Sequence, residues 1–182
     1  MLLQCTDPEV FKCPEEKVIT HELLFVGNSR KVYRKVIKDV LPSEYNLSIY
    51  GSKWRGIVED SYIKGEHIEN KELYKYYHGA KIVLNDHWED MSEKGFISNR
   101  IFDVLASKGF LITDEVEGLR ECLGDAVVTY KDKEDLQSKI KYYMEHEEER
   151  IKKCEEGYQK VISEHTFKQR MQEVISDLED NN

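Results

Sequence analysis

Short apolar runs alternate with helically spaced apolar positions along most of the chain. "ELLFVGN" (Glu22–Asn28) reads as a buried strand closing on a glycine. In "SRKVYRKVIKDVL" (Ser29–Leu41), Val32, Val36, Ile37 and Val40 fall on one helical face, with Ser29 placed to cap and Pro42 to stop it. "LSIYGS" (Leu47–Ser52) is a second strand ending at a glycine, and a loop-rich stretch from Lys53 to Asn70 follows. Next come a helix over Asn70–Ala80, a strand over Ile82–Asp86 and a polar loop from His87 to Ile97. "SNRIFDVLASKGFLITD" then supplies a helix, Asn99–Lys108, and a strand, Phe110–Asp114. A short helix (Glu117–Gly124) and a strand (Ala126–Tyr130) complete the alternation. From Lys133 onward the pattern is helical and heavily charged, divided at Gly157 and at "SEHTF" (Ser163–Phe167) into at least two helices. The acid-rich stretch Asp132–Lys153 reads as a solvated amphipathic helix laced with i,i+4 pairs.

Strands alternating with helices at this spacing predict an α/β fold: an open, mostly parallel Rossmann-like sheet with helices on both faces and a C-terminal helical extension. In such sheets ligands bind beyond the carboxyl ends of the strands, where Gly27, Gly51, Asp86 and Asp114 all fall. Residues 1–22 hold two of the three prolines and no periodicity, and are expected to be an irregular lead-in.

Composition narrows the function classes. A net charge of −9 and a pI near 5.3 argue against broad binding to nucleic acid or anionic membrane. No apolar run approaches the roughly 20 residues of a membrane span, and no signal-peptide pattern opens the chain. The four cysteines form no C-x-x-C pair, which fits a reducing cytoplasm better than a disulfide scaffold or a zinc site. The six histidines form neither H-x-x-x-H nor H-E-x-x-H, so no metal is expected.

The candidate chemistry gathers at a few positions, each with an ordinary alternative. Ser98, Asn99 and Arg100 open a helix whose unpaired amides and arginine suit a phosphate; equally, Ser98 is a common cap and Arg100 a surface residue. Asp103 complements the helix dipole, and its two oxygens could equally accept from a ribose diol. Arg30, Lys31 and Arg34 cluster at a helix start, where positive charge is unfavourable; an anionic partner or a solvated basic face accounts for them. His87, directly after a strand, is placed for acid–base chemistry or for a structural hydrogen bond. A G-x-G-x-x-G fingerprint, a P-loop and a G-x-S-x-G elbow are all absent from the sequence.

Several pieces occur in one order: "FVGN" with Arg34 after it, "SIYGSKW", "IVLNDH", "SNRIFDVLASKGFLITD", "AVVTYKDKEDLQSKIKYYMEHEEER" and "EHTFKQR". This set, spanning nearly all of the chain from Leu23, resembles the C-terminal half of a GT-B glycosyltransferase of the group 1, family 4-like type, in particular the CgeB-like spore-maturation branch. The resemblance implies an irregular lead-in at 1–22, a nucleotide-sugar-binding domain at 23–145 and C-terminal helices at 146–182. A separate N-terminal domain, outside this chain, would bind the acceptor, and the last helix would cross back to it.

The resemblance also implies the roles of residues. Arg100 and Arg34 would stabilise the leaving diphosphate, with Lys31 in the same loop. Gly27 and Asn28 follow the first strand, Ser98 and Asn99 open the phosphate-facing helix, and His87 lies beside them. Asp103 takes the place of the ribose-binding glutamate. Tyr62, Ile63 and Lys64 match the loop whose backbone meets the nucleobase. The family's first acid, which meets the transferred sugar, falls on Gly95, with Glu93 out of register. The whole enzyme would be a retaining, metal-independent hexosyltransferase with no cofactor beyond its nucleotide-sugar donor, and this chain alone would not turn over. The alternative is a non-catalytic binding or structural module with a degenerate form of the same fold. An unrelated flavodoxin-like regulator has less support, because strand-end acids with a downstream lysine do not form its pattern.

Overall fold

Leu23, Leu24 and Phe25 are all fully buried, as are Ile82, Val83 and Leu84. Strands apolar on both faces must be covered on both faces, which is the arrangement a parallel sheet between helical layers provides. The computed structural model describes residues 3–15, 18 and 20–180. Six strands form one sheet: β1 (His21–Val26), β2 (Leu47–Tyr50), β3 (Ile63–Gly65), β4 (Ala80–Asn85), β5 (Leu111–Asp114) and β6 (Val128–Tyr130). Their order is β3-β2-β1-β4-β5-β6, and every pairing is parallel. This is the doubly wound Rossmann-like sheet that the alternation predicts, with its order reversing between β1 and β4.

Side chains alternate across the pleat. Leu24 and Val83 enter one core with Tyr77 of α2 (Leu73–Gly79), Ile101 and Leu105 of α4 (Asn99–Ala106), and Val161 of α7 (Glu147–Glu164). Leu23, Phe25 and Ile82 enter the other, with Val36 and Ile37 of α1 (Lys35–Val40) and Leu136 of α6 (Lys133–Glu145). Each such fully buried side chain stabilises the fold by about 1.5–3 kcal/mol. The remaining helices are α3 (Glu89–Glu93), α5 (Leu119–Leu123) and α8 (Phe167–Asp180).

The structure departs from the sequence expectation in several places. The helix expected from Ser29 begins only at Lys35, because Arg30 and Lys31 take left-handed backbone angles (φ 53° and 67°) that a helix cannot continue. Ser29 caps nothing: its Oγ donates to the Lys53 carbonyl and accepts the Lys31 N–H, closing a loop instead. The stretch Lys53–Asn70 contains β3, and the polar loop after β4 contains α3. Gly157 does not divide the C-terminal helices; the breaks fall at His146 and at His165–Thr166. A Cβ on Gly157 would lie 2.6 Å from Leu105 Cδ2, so the glycine serves close packing of α7 on α4.

Part of the expected lead-in packs on this body. Phe11 is buried and stacks on Tyr77, and Thr6 exchanges backbone hydrogen bonds around Thr166 (Thr6 N to His165 O, 3.0 Å; Phe167 N to Thr6 O, 3.1 Å). Residues 1–2, 16–17 and 19 of the lead-in lie outside the described residues.

Candidate functional site

The loops after β1 (27–34) and after β4 (86–98) flank the point where strand order reverses, and they are tied together by a buried ion pair. Arg34 is 5% exposed; its Nε donates to Asp86 Oδ2 (3.1 Å), its Nη2 to the Asp86 carbonyl (2.9 Å), and Nη2 also meets Oδ1. Asp86 Oδ2 further accepts the Val36 N–H at 3.4 Å, in the first turn of α1. Asp86 thereby replaces the missing side-chain cap of that helix. Burial pushes the Asp86 carboxyl up, against the pull of Arg34 and of the Val36 amide. The Arg34 guanidinium lies 3.8 Å from the Trp88 ring centroid, and Arg30 lies 4.6 Å from the same ring. Arg34 is therefore enclosed and neutralised where it stands.

Arg100 occupies the crevice itself. It sits in the first turn of α4, half-buried, and its Nη1 donates to Asn85 Oδ1 at 2.6 Å. Asn85 ends β4 fully buried and donates in turn to Thr113 Oγ1 (2.8 Å), so the strand end is a fixed anchor. A Cβ on Gly27 would come 3.0 Å from Arg100 Nη2: the guanidinium reaches across β4 to the end of β1. Gly51 makes the neighbouring approach, at φ 143°, where a Cβ would strike the Gly27 carbonyl at 2.2 Å. Asn28 is exposed and accepts from Ser52 N (2.7 Å) and Ser52 Oγ (3.0 Å), and Lys31 is exposed on the left-handed turn.

Ser98 holds the N-cap position of α4 by its backbone (φ −62°, ψ 132°), but its side chain makes no capping bond. Its N–H is instead donated to His87 Nε2 at 2.9 Å. His87 Nδ1 lies 2.7 Å from Asp114 Oδ1, and the ring is wholly buried. Both ring nitrogens are thus taken by the protein. Asp114 also accepts the His87 backbone N–H (3.0 Å) and the Thr113 hydroxyl (3.0 Å). Burial raises the Asp114 pKa, but the donors from His87 and Thr113 outweigh it and hold the carboxyl below its ordinary value.

One turn into α4, Asp103 is buried at 7% exposure. Its Oδ1 accepts the Thr6 hydroxyl and its Oδ2 the Asn99 amide, both at 2.7 Å. Burial pushes its pKa up to about 7 despite these donors and nearby Arg100. Tyr62 and Ile63 turn their side chains to the α1/α6 core, and Lys64 is exposed, its Nζ on the Ser61 carbonyl (2.7 Å). What β3 leaves open is its backbone edge, since it pairs only with β2.

Gly27, Arg100, Ser98, His87, Asn99 and Asp103 therefore gather around the start of α4, while Asn28 and Lys31 line the facing loop. Tyr62, Ile63 and Lys64 stand two strands away. Sequence reasoning missed Thr6, Asn85 and Trp88 as partners; a polar pair closing an apolar run was the one signal, at Asn85-Asp86. A hollow of about 440 Å³ opens elsewhere, lined by His78, Lys81, Lys108, Arg150 and Cys154 among others. Lys108 and Arg150 are ion-paired within it (Lys108–Glu155, 2.7 Å; Arg150–Glu147, 3.5 Å), which lessens its pull on an anion. Among the described residues no group of three His, Cys, Asp or Glu side chains could hold a metal, and no helix is long and apolar enough to cross a membrane.

A family model described as glycosyl transferase-like matches residues 30–176. The spore protein CgeB of Bacillus subtilis (strain 168) is 24% identical over 161 residues, covering 80% of this chain and 50% of that protein. Among solved structures, sucrose-phosphate synthase from Thermosynechococcus elongatus superposes with a TM-score of 0.76 at 13% identity, over 100% of this chain and 53% of that one. T4 phage β-glucosyltransferase, solved with its UDP-glucose substrate, superposes with a TM-score of 0.67 at 15% identity, over 84% of this chain and 47% of that one. The chain thus spans about half the length of these relatives, and the structural likeness carries the GT-B Rossmann-like fold.

Proposed function

Because the chain belongs to the glycosyl transferase-like family, we propose that it is the donor-binding half of a glycosyltransferase, holding a nucleoside-diphosphate sugar in the crevice between β1 and β4. The observation that carries this reading is Arg100, anchored on Asn85 with its guanidinium at the surface of Gly27. A diphosphate docked there meets a permanent positive charge and the free first-turn amides of α4 together. The T4 neighbour, solved in complex with UDP-glucose, supports the donor class.

Transfer breaks the bond between the sugar's anomeric carbon and the diphosphate oxygen, and the electron pair leaves on that oxygen. Arg100 and the α4 amides oppose the charge that develops, in place already and without reorganisation. Lys31 and Asn28 contact the phosphates from the facing loop, and Arg34 acts through Asp86 by fixing that loop. Asp103 receives the ribose hydroxyls in place of the Asn99 and Thr6 donors, and the backbone beside Tyr62, Ile63 and Lys64 meets the base. A retaining, metal-independent hexosyl transfer completes the proposal, with the acceptor bound by an N-terminal domain. The apolar face of α8, with Phe167 and Met171 each 57% exposed and Ile175 50%, would meet that domain. The parts of the chain would then be the lead-in at 1–22, the donor domain at 23–145 and the crossing helices at 146–182, in a cytoplasmic enzyme.

Calorimetric titration with a panel of nucleoside diphosphates and their sugars, run in EDTA, tests this. Saturable binding that Arg100→Ala removes is the expected result; flat traces from a folded sample with every ligand would end the proposal. A second reading, a binding module without chemistry, is favoured by Gly95. That buried position, where the family has its sugar-facing acid, has φ 66° and no carboxylate, and Glu93 is exposed nearby on α3. A full-length protein that binds the nucleotide sugar but neither transfers nor hydrolyses it would decide for the module.

A further inference from the structure

The start of α4 is held by a side chain that never reaches the crevice. Ser98 donates its N–H to His87 Nε2 at 2.9 Å, so that nitrogen carries a lone pair and the proton sits on Nδ1. Nδ1 then donates to Asp114 Oδ1 at 2.7 Å, and the same carboxylate takes the His87 backbone N–H at 3.0 Å. The ring is wholly buried, with both nitrogens satisfied, which leaves no site for a ligand atom. An N–H that opens a helix normally goes to water or to a capping side chain, but here it goes to an imidazole 11 residues earlier, at the start of the same loop.

We propose that His87 is a positioning residue: a neutral imidazole, fixed by Asp114, that holds the N-terminus of α4 through the Ser98 amide and so aims the first-turn amides and Arg100 at the crevice. The inference rests on the donor-binding reading for its functional consequence, though not for the contact itself. The chain of force runs from β5 through Asp114 and His87 to Ser98, and Arg100 follows two residues later, with Asn85 holding its other end.

The test is made on the wild-type chain without ligand. A through-hydrogen-bond coupling between the Ser98 amide nitrogen and His87 Nε2, with the ring in its Nδ1–H form, is expected in ¹⁵N spectra. Exchange of the Ser98 and Ile101 amides should quicken about tenfold or more in His87→Phe, the loss expected for one buried hydrogen bond. His87→Gln, whose amide can still accept, should restore most of the protection. Absence of the coupling, or an Nε2–H tautomer, overturns the proposal; so does unchanged exchange in a folded His87→Phe. Nucleoside-diphosphate affinity is measured separately on the same proteins and should fall about tenfold in His87→Phe and recover in His87→Gln. Equal affinity in all three would overturn the aiming role. A wild type that binds no nucleotide would instead refute the donor reading and leave the coupling and exchange results to decide the positioning of α4.

Discussion

The guanidinium of Arg100 ends where a side chain at residue 27 would begin: a Cβ on Gly27 would lie 3.0 Å from Arg100 Nη2. One residue supplies the charge of the crevice and the other the space for it. Donor affinity should therefore depend on both. Arg100→Ala should weaken nucleoside-diphosphate binding roughly ten- to hundredfold, the range for a lost charged hydrogen bond. Gly27→Ala should weaken it less and also lower the melting temperature slightly, because the added carbon meets the flexible end of Arg100 but also the ring of buried Phe25, at 3.1 and 3.3 Å. Calorimetric titration of the two variants checks this; full affinity in Arg100→Ala would show that the diphosphate docks elsewhere.

Arg34 and Asp86 should matter for stability more than for ligand. Both side chains are almost fully buried, 5% and 3% exposed, and Asp86 also caps α1. Removing one partner leaves the other charge unpaired, so Asp86→Ala should cost about 3–5 kcal/mol in urea unfolding. In a double-mutant cycle Arg34→Ala should add little to it. Fully additive losses would mean that the pair is not energetically coupled.

Asp103 ties stability to pH. Its folded pKa is raised from 3.8 to about 7, chiefly by burial, so folding takes up a proton between these values. The stability it allows is greatest at acid pH, falls as pH rises from about 4 to about 7, and levels off above. Asp103→Asn, which cannot ionise, should be the more stable protein at pH 8, and its advantage should shrink as pH is lowered towards 5. Unfolding curves at the two pH values measure the difference; an advantage that grows on acidification would show that the carboxyl is held ionised.

Gly157 offers a packing test with an unusual sign. Glycine to alanine inside an exposed helix ordinarily stabilises by about 1 kcal/mol. Here the added carbon would stand 2.6 Å from Leu105 Cδ2, and Leu105 is 1% exposed with nowhere to move. Gly157→Ala should lose about 1–3 kcal/mol to overpacking, and combining it with Leu105→Ala should relieve part of the loss. A melting temperature raised by Gly157→Ala alone would show that α7 can slide on α4.

The elements that the sequence made legible are those with a local cause. Apolar runs such as Leu23–Phe25 and Ile82–Leu84, each bounded by polar or glycine residues, place strands directly. The helical spacing of Ile101, Val104 and Leu105 places α4, and the order of these pieces leads to the parallel sheet. β3 and α3 escaped because three and five residues are too few to show a period. The start of α1 escaped for a different reason: nothing in "SRK" announces the left-handed turn at Arg30 and Lys31, which the close loop with Lys53 imposes.

By itself, then, the chain's pattern determined a doubly wound sheet and which residues would lie at its carboxyl edge. It also picked out Gly27, Arg100 and Asp103 as the groups of interest there. Only the tertiary structure decided what each group does with its charge. Arg34 meets Asp86 52 residues away, Asp103 meets Thr6 97 residues away, and His87 meets Asp114 27 residues away. Periodicity reports which face of an element is buried, because that face repeats with the local geometry. The choice of a polar partner depends on where two distant loops are brought together, and no local repeat carries that information.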